Sequence, residues 1–174
     1  NADKAVDVVF PSAIDTEFSI RDYGTGLSKE DVMTLYTTFF SSTKSDSNDF
    51  TGGFGLGSKT PFAYTSSFTV TSFFNETKYV FLATKKDGYP SILPISEEST
   101  AEPNGLLIRI PVNKDIPNKF YDEAVNYLSL IPEIKINSNL SYTPNVPFIK
   151  EDNVALYVPT RTSRTYSWQK DAGV

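Results

Sequence analysis

The chain has 174 residues, of which 39% are hydrophobic and 21% charged, so we expect a packed core rather than disorder. It contains neither cysteine nor histidine, which excludes disulfides, thiolate zinc sites, cysteine nucleophiles and histidine-based catalytic triads. A formal net charge of −5 argues against a broad basic face, and no sequence-specific contact with nucleic acid is indicated.

The sequence also bears on membrane attachment. No apolar run is long enough to cross a bilayer, and the first residues lack the layout of a signal peptide. We therefore expect no transmembrane segment, which leaves peripheral association with a membrane open.

The first elements follow from hydrophobic periodicity. Residues 5–10 ("AVDVVF") and 17–23 ("EFSIRDY") have the pattern of short strands. The next segment, "SKEDVMTLYTTFF", is typical of a helix, with Ser28 as N-cap and Asp31 closing a capping box. Its apolar residues share one face: Val32, Leu35, Tyr36 and Phe39.

The middle of the chain is predicted to form a loop followed by strands. Residues 41–50 are polar and aperiodic, which is typical of a mobile loop. Residues 67–75 and 78–84 have the pattern of paired strands, and Lys86-Asp87-Gly88 is a turn signal. Residues 105–112 ("GLLIRIPV") predict another apolar strand.

The sequence pattern changes near Asn113, and we place a domain boundary there, between residues 1–112 and 113–174. Beyond it, residues 118–131 have the pattern of an amphipathic helix, and "VALYV" (154–158) has that of a short strand. The second part is interpreted as a C-terminal extension or the start of a second domain.

Two glycine motifs are candidates for a binding site. The first is Asp22-x-Gly24-x-Gly26 after the second strand, and the second is the G-x-G-x-G run from Gly53 to Gly57. The second run is not a Walker A loop, because Ser58 separates the last glycine from the lysine, and its spacing differs from the dinucleotide fingerprint. Taken singly, the motifs are equally consistent with a turn and a flexible glycine loop.

The two motifs in order are more specific. The Asp box, a capped helix, a polar loop, the glycine box and a hairpin resemble the GHKL ATPases, the Bergerat-fold group of Hsp90, DNA gyrase B, MutL and sensor histidine kinases. The stretches "SSTK", "GGFGLGSKTPFAYTSSFTVTS" and the "YP" near Tyr89 are similar to phage rIIA-like proteins. The resemblance runs from Val6 to Val112 and is strongest from Asp22 to Ser72.

This resemblance implies a fold and a function. The fold is α+β, a two-layer α/β sandwich of the Bergerat type with a mixed, mostly antiparallel sheet backed by helices. The expected ligands are ATP or ADP with Mg²⁺, and ATP would order the lid and drive a conformational or dimerisation switch. The expected location is the cytoplasm of the host cell, with peripheral association at the inner membrane left open, and homodimer formation is also left open.

The resemblance also implies roles for individual residues. Asp22 would accept a hydrogen bond from the adenine amine, and Gly24 and Gly26 would let the backbone approach the base. Leu27 is a candidate for contact with the adenine face, as is Met33, for which a place in the core is preferred. The other nucleotide-binding candidates lie in the lid and the glycine box: Ser42, Thr43, Lys44, Gly53, Phe54, Gly55, Leu56, Gly57, Ser58 and Lys59.

Within that set, the backbone amides of Gly53, Gly55 and Gly57 would contact the phosphates. Lys44 and Lys59 are the candidate cations, although loop lysines are usually only solvated. Phe54 and Leu56 are interpreted as packing residues.

One part of the family pattern has no match before Asp22. GHKL ATPases carry an E-x-x-x-N helix, whose Glu activates water and whose Asn binds Mg²⁺, and their late-strand Thr has no counterpart in "GLLIRI". We therefore assign no catalytic residue and no metal ligand, and expect no hydrolysis by this chain alone. The box either lies upstream, is missing from this sequence or is absent from the protein.

Three other function classes are alternatives to an ATPase. A non-catalytic scaffold that keeps the fold without the chemistry is the main alternative, because the E-x-x-x-N box has no match. A sensor histidine kinase is disfavoured because the chain has no histidine. A phage structural protein with accidental glycines is the remaining alternative.

Overall fold

The computed structural model describes residues 5–12, 14–37, 57–113, 123, 135–139, 149–151 and 154–156. The chain divides into two compact units: residues 1–117 with 134–141, and residues 118–133 with 142–174. The first unit is α+β, with a seven-stranded mixed sheet. Within the described residues of the second unit, strands β8 (Ile149–Glu151) and β9 (Val154–Leu156) pair antiparallel.

The sheet of the first unit contains seven strands: β1 (Val6–Val9), β2 (Glu17–Arg21), β3 (Ser67–Phe74), β4 (Thr77–Lys86), β5 (Tyr89–Ser99), β6 (Gly105–Pro111) and β7 (Ile136–Ser138). Their order is β5-β4-β3-β6-β2-β1-β7, and every neighbouring pair is antiparallel except β1 and β7. The expectation of a mixed, mostly antiparallel sheet is therefore confirmed.

Strand β7 comes from beyond the predicted boundary at residue 113, yet it pairs in parallel with β1. Its residue Asn137 lies opposite Asp7 in the register. The boundary itself stays a prediction. Of the predicted helix at 118–131, only Glu123 is described, and it is helical.

Helix α1 (Lys29–Thr37) begins where the sequence predicts. The Ser28 hydroxyl accepts a hydrogen bond from the Asp31 amide at 3.1 Å and donates one to the Asp31 carboxylate at 2.8 Å. Val32 and Tyr36 are 0% and 3% exposed, and Leu35 packs beside them, so the predicted apolar face is confirmed for these three residues. Phe39 lies outside the described residues.

A 3₁₀ helix (Gly57–Ala63) begins at the last glycine of the glycine box. It contains Pro61, which has no amide hydrogen to donate, and such short 3₁₀ segments tolerate this better than a long α-helix does. The Pro61 carbonyl accepts hydrogen bonds from the amides of Tyr64 and Thr65 and so ends the segment.

The core lies between the helices and one face of the sheet. Because side chains alternate along a strand, Phe68 and Val70 of β3 face the helices together with Phe81 and Ala83 of β4. The buried cluster consists of Val32, Tyr36, Phe62, Phe68, Val70, Phe81, Ala83 and Ile92. Both helical segments are thus fixed to the same side of the sheet.

Tight turns set the register of the β3–β4–β5 meander. Asn75 and Glu76 have φ values of 48° and 60°, and Asp87 and Gly88 have values of 52° and 83°. Two consecutive positive φ angles are typical of the two-residue hairpin turns that match strand twist. The strand pairing and the turn at residues 86–88 predicted from the sequence are confirmed.

Strand β5 is an edge of the sheet, but it is a poor template for another strand. Pro90 and Pro94 each remove an amide donor, and a register shift against β4 follows at Val80 and Phe81. Prolines and bulges are common devices that block edge-to-edge pairing. A homodimer built by pairing two β5 strands is therefore disfavoured.

Replacing the helix cap tests the local structure of α1. In Ser28→Ala, the Asp31 amide loses its partner, and we expect the free energy of unfolding in urea to fall by about 1 kcal/mol. The matched control is Ser66→Ala, an exposed serine whose hydroxyl has no hydrogen bond within the described residues. Equal effects of the two substitutions would contradict the capping role.

Candidate functional site

Asp22 extends the sheet one residue beyond β2, because its amide donates to the Leu106 carbonyl at 2.9 Å. Its Oδ1 accepts hydrogen bonds from the Gly24 amide at 2.9 Å and the Leu106 amide at 3.3 Å. Within the described part of the chain, no hydrogen bond reaches Oδ2. One carboxylate oxygen therefore closes the turn, and the other remains available to a ligand.

The Asp22 side chain lies on the helix side of the sheet. Its charge acts on Tyr36 of α1. Burial raises the pKa of Tyr36 well above its usual range, and the negative charge of Asp22 adds to the increase. The Asp22 carboxylate therefore lies within electrostatic range of the buried Tyr36.

Close backbone contacts fix the turn from Asp22 to Leu27. Gly26 has φ of 72°, and a Cβ added to it would lie 2.1 Å from the Phe73 carbonyl oxygen. Gly105 of β6 has φ of 140°, and its Cβ would lie 2.1 Å from the Asp22 carbonyl oxygen. Both positions therefore require glycine for steric as well as conformational reasons.

Gly24 differs from Gly26. It is exposed, and an added Cβ would meet only the Asp22 Oδ1 atom, at 3.1 Å. The fold therefore requires the second glycine of the Asp box, whereas the first is constrained only by its own turn.

Ser72 holds the far end of the turn and was missed by the sequence analysis. Its hydroxyl donates to the Leu27 carbonyl at 2.6 Å and accepts from the Leu27 amide at 2.9 Å, and the residue is 0% exposed. The signal was present: Ser72 follows Phe68 and Val70 on the inward face of β3. A buried serine in that series needs polar partners, and these are the Leu27 backbone groups.

The two candidates for apolar contact with the base, Leu27 and Met33, have different environments in the structure. Leu27 is half-buried and packs against the core cluster. Met33 is 39% exposed, so its predicted place in the core is wrong. It lies on α1 one residue after the inward-facing Val32, which turns it away from the buried stripe.

Lys59 is 8% exposed and sits against α1 rather than in solvent. Its ammonium donates to the Leu35 carbonyl at 2.7 Å and lies 3.5 Å from the Ser58 hydroxyl, while burial lowers the pKa of the lysine. Gly57 begins the 3₁₀ helix beside it. The other predicted phosphate-site residues lie outside the described residues: Ser42, Thr43, Lys44, Gly53, Phe54, Gly55 and Leu56.

Tyr23 lies next to Asp22 in sequence but belongs to a different hydrogen-bond network. Its hydroxyl donates to the Asp7 carboxylate, which also accepts from the Asn137 side-chain amide at 2.8 Å. The hydrogen bonds from Tyr23 and Asn137 lower the pKa of Asp7, and the bond to Asp7 raises the pKa of Tyr23. The network joins the end of β2 to β1 and β7.

Arg21 reinforces this side of the sheet. Its guanidinium lies 3.7 Å from the centre of the Phe73 ring and 5.0 Å from that of Tyr23, and it donates to the Pro103 carbonyl at 2.6 Å. The residue is 6% exposed. The arginine thus ties the β5–β6 connection to the strand that carries the Asp box.

The described part of the surface also contains two concavities. One concavity of about 590 Å³ is lined by Glu76 and residues 99–104, and another of about 220 Å³ is lined by Lys29, Phe81 and residues 94–97. Among the described residues, no group of three acidic side chains could hold a metal ion, and no helix is long and apolar enough to span a membrane.

Comparison with known proteins adds no relative. No model of a protein family matches the chain, and no curated protein sequence matches it. The interpretation of the site therefore rests on its residues and their geometry.

The two kinds of glycine contact can be separated by mutation. Gly88→Ala places Cβ in open space at φ of 83°, so it should cost only the conformational strain, about 1–2 kcal/mol. Gly26→Ala adds the contact with the Phe73 carbonyl oxygen and should cost more than about 3 kcal/mol, measured as the free energy of unfolding. Similar values for both would mean that the turn does not lie on β3.

The Asp7–Tyr23 bond predicts a pH dependence at both ends of the range. The pKa of Asp7 lies below its usual 3.8 in the folded state, so its stabilisation is present above pH 3.8 and lost as the pH falls through the lower folded-state pKa. The pKa of Tyr23 lies above its usual 10.0, so its stabilisation is present below pH 10.0 and lost as the pH rises through the raised pKa.

Urea unfolding of the wild type and Tyr23→Phe at matched pH values measures this contribution. The difference in unfolding free energy should be constant between pH 5 and 9 and shrink towards pH 2.5 and pH 11. A difference that is the same at all pH values would contradict the bond.

Proposed function

We propose that this chain is the nucleotide-binding domain of a GHKL-type ATPase with the Bergerat fold, most similar to phage rIIA-like proteins. ATP binds with its adenine at Asp22, orders the lid that contains Ser42, Thr43 and Lys44, and drives a conformational or dimerisation switch. The proposed location is the cytoplasm of the host cell.

The observation that carries the proposal is the state of the Asp22 carboxylate. Two backbone amides hold Oδ1, so the orientation of the carboxylate is set before any ligand arrives. Its Oδ2 is an acceptor without a hydrogen bond within the described residues, and an ionised carboxylate only accepts. Such a group selects the exocyclic amine of adenine over the carbonyl that guanine presents at the same position.

The surroundings of Asp22 support a planar ligand on the helix side of the sheet. The Asp22–Leu27 turn lies directly on β3 and β6, and α1 begins two residues beyond Leu27. Leu27, which packs against the core cluster, is the candidate for apolar contact with the base. A base that sits at Asp22 would therefore have one polar edge and one apolar neighbour, a usual combination in small-molecule sites.

The phosphates are assigned to the amides of Gly53, Gly55 and Gly57 and to Lys44 of the lid. Lys59 donates to the Leu35 carbonyl, and because an ammonium has three N–H donors, that bond does not by itself exclude a contact with a phosphate oxygen. Mg²⁺ would enter with ATP and neutralise phosphate charge. No residue of this chain is assigned as its ligand or as a general base, so binding rather than turnover is the activity proposed for this chain alone.

The alternative is a scaffold that keeps the fold without binding nucleotide. Two observations favour it: Asp22 Oδ1 stabilises its own turn, and Lys59 caps the carbonyl of Leu35. Both polar groups thus have structural roles that need no ligand.

Titration of the full-length protein with MgATP by calorimetry separates the two candidates. The ATPase proposal expects saturable binding that Asp22→Asn weakens at least tenfold, because the amide nitrogen would oppose the adenine amine. Asp15→Asn is the matched control, since Asp15 also caps a turn, through the Glu17 amide at 3.1 Å, and should leave binding unchanged. MgGTP should bind more weakly than MgATP. No ATP binding by the wild type would leave the scaffold as the better account.

A further inference from the structure

Asp22 and Tyr23 are adjacent residues whose side chains lie on opposite faces of the sheet. Asp22 lies on the helix side, where its charge acts on Tyr36. Tyr23 lies on the other side with Arg21, whose guanidinium is 5.0 Å from its ring centre. A single peptide unit therefore connects the proposed base-reading carboxylate to the opposite face.

The network of Tyr23 leads from this peptide unit to β7. The Tyr23 hydroxyl donates to one oxygen of Asp7, and Asn137 of β7 donates to the other oxygen at 2.8 Å. Asp7 and Asn137 are also partners in the parallel pairing of β1 and β7. The carboxylate of Asp7 is thus shared between the Asp box and the edge strand.

Strand β7 is a short edge strand. It has three residues at the edge of the sheet, and its neighbouring strand is β1. The Val6 amide donates to the Lys135 carbonyl at 2.8 Å, and the Asn139 side chain bonds both backbone groups of Phe10. Short edge strands open more readily than central ones, so a side-chain bond such as that of Asn137 can change the opening of β7.

The position of β7 along the chain gives this link a consequence. The segments on both sides of residues 134–141, namely 118–133 and 142–174, belong to the second unit. Strand β7 is therefore joined by the chain to the second unit at both ends.

We propose that Tyr23 is a positioning residue that couples nucleotide binding at Asp22 to the docking of β7. The inference rests on the proposed function. When β7 opens, Asp7 loses the Asn137 bond and Tyr23 loses a fixed partner, so a ligand that needs the ordered 22–23 peptide favours the docked strand. The restrained Tyr23 holds the Asp7 carboxylate in the orientation that also accepts the Asn137 bond.

Hydrogen–deuterium exchange of the full-length protein with and without MgATP tests this coupling. In the wild type, MgATP should slow amide exchange in residues 135–139 by about tenfold, the factor that corresponds to one net hydrogen bond. Tyr23→Phe keeps the ring beside Arg21 but removes the donor, so it should abolish the slowing while ATP affinity stays within about tenfold of the wild type. Asn137→Ala should abolish it as well, from the other end of the network.

The matched control is Tyr89→Phe, which removes a hydroxyl from an exposed tyrosine on β5, and it should keep the wild-type response. ATP binding measured on the same samples separates the possible failures. If the wild type binds ATP and exchange at 135–139 is unchanged, or if Tyr23→Phe retains the slowing, the coupling is wrong and the proposed function stands. If the wild type does not bind ATP, the proposed function is wrong and the coupling falls with it.

Discussion

The close approach of the Asp22–Leu27 turn to the backbones of β3 and β6 is the constraint on which the rest of the site depends. Gly26 lies on the Phe73 carbonyl, and Gly105 lies under the Asp22 carbonyl. No side chain larger than hydrogen fits at either place, so the turn is held by the sheet rather than by its own flexibility. This rigidity sets the direction of the Asp22 carboxylate and the point at which α1 begins.

Two serines hold the end of the turn, one through a local contact and the other through a contact that is distant in sequence. Ser28 caps α1 locally, through an amide three residues along the chain. Ser72 comes from a strand 45 residues away and binds both backbone groups of Leu27. A buried hydroxyl that donates and accepts at once leaves no polar group unsatisfied, which makes the contact specific as well as stabilising.

The two faces of the sheet carry different groups of residues. The helix side carries the core cluster and Asp22, and the opposite side near β1 and β2 carries Asp7, Arg21 and Tyr23. Strand alternation is the reason that consecutive residues of the Asp box belong to both sides. A single peptide unit therefore joins Asp22 on one face to the network of Tyr23, Asp7 and Asn137 on the other.

The sequence by itself determined the features that depend on local periodicity and turn chemistry. These were strands β1 to β4 and β6, the Ser28 cap, the inward face of α1 and the turn at Asp87 and Gly88, since each depends on residues close together in the chain. Only the tertiary structure decided the parallel pairing of β7 with β1, the Ser72–Leu27 contact and the burial of Lys59 against Leu35. These contacts join residues 24 to 130 positions apart, and local patterns carry no information on which distant groups meet.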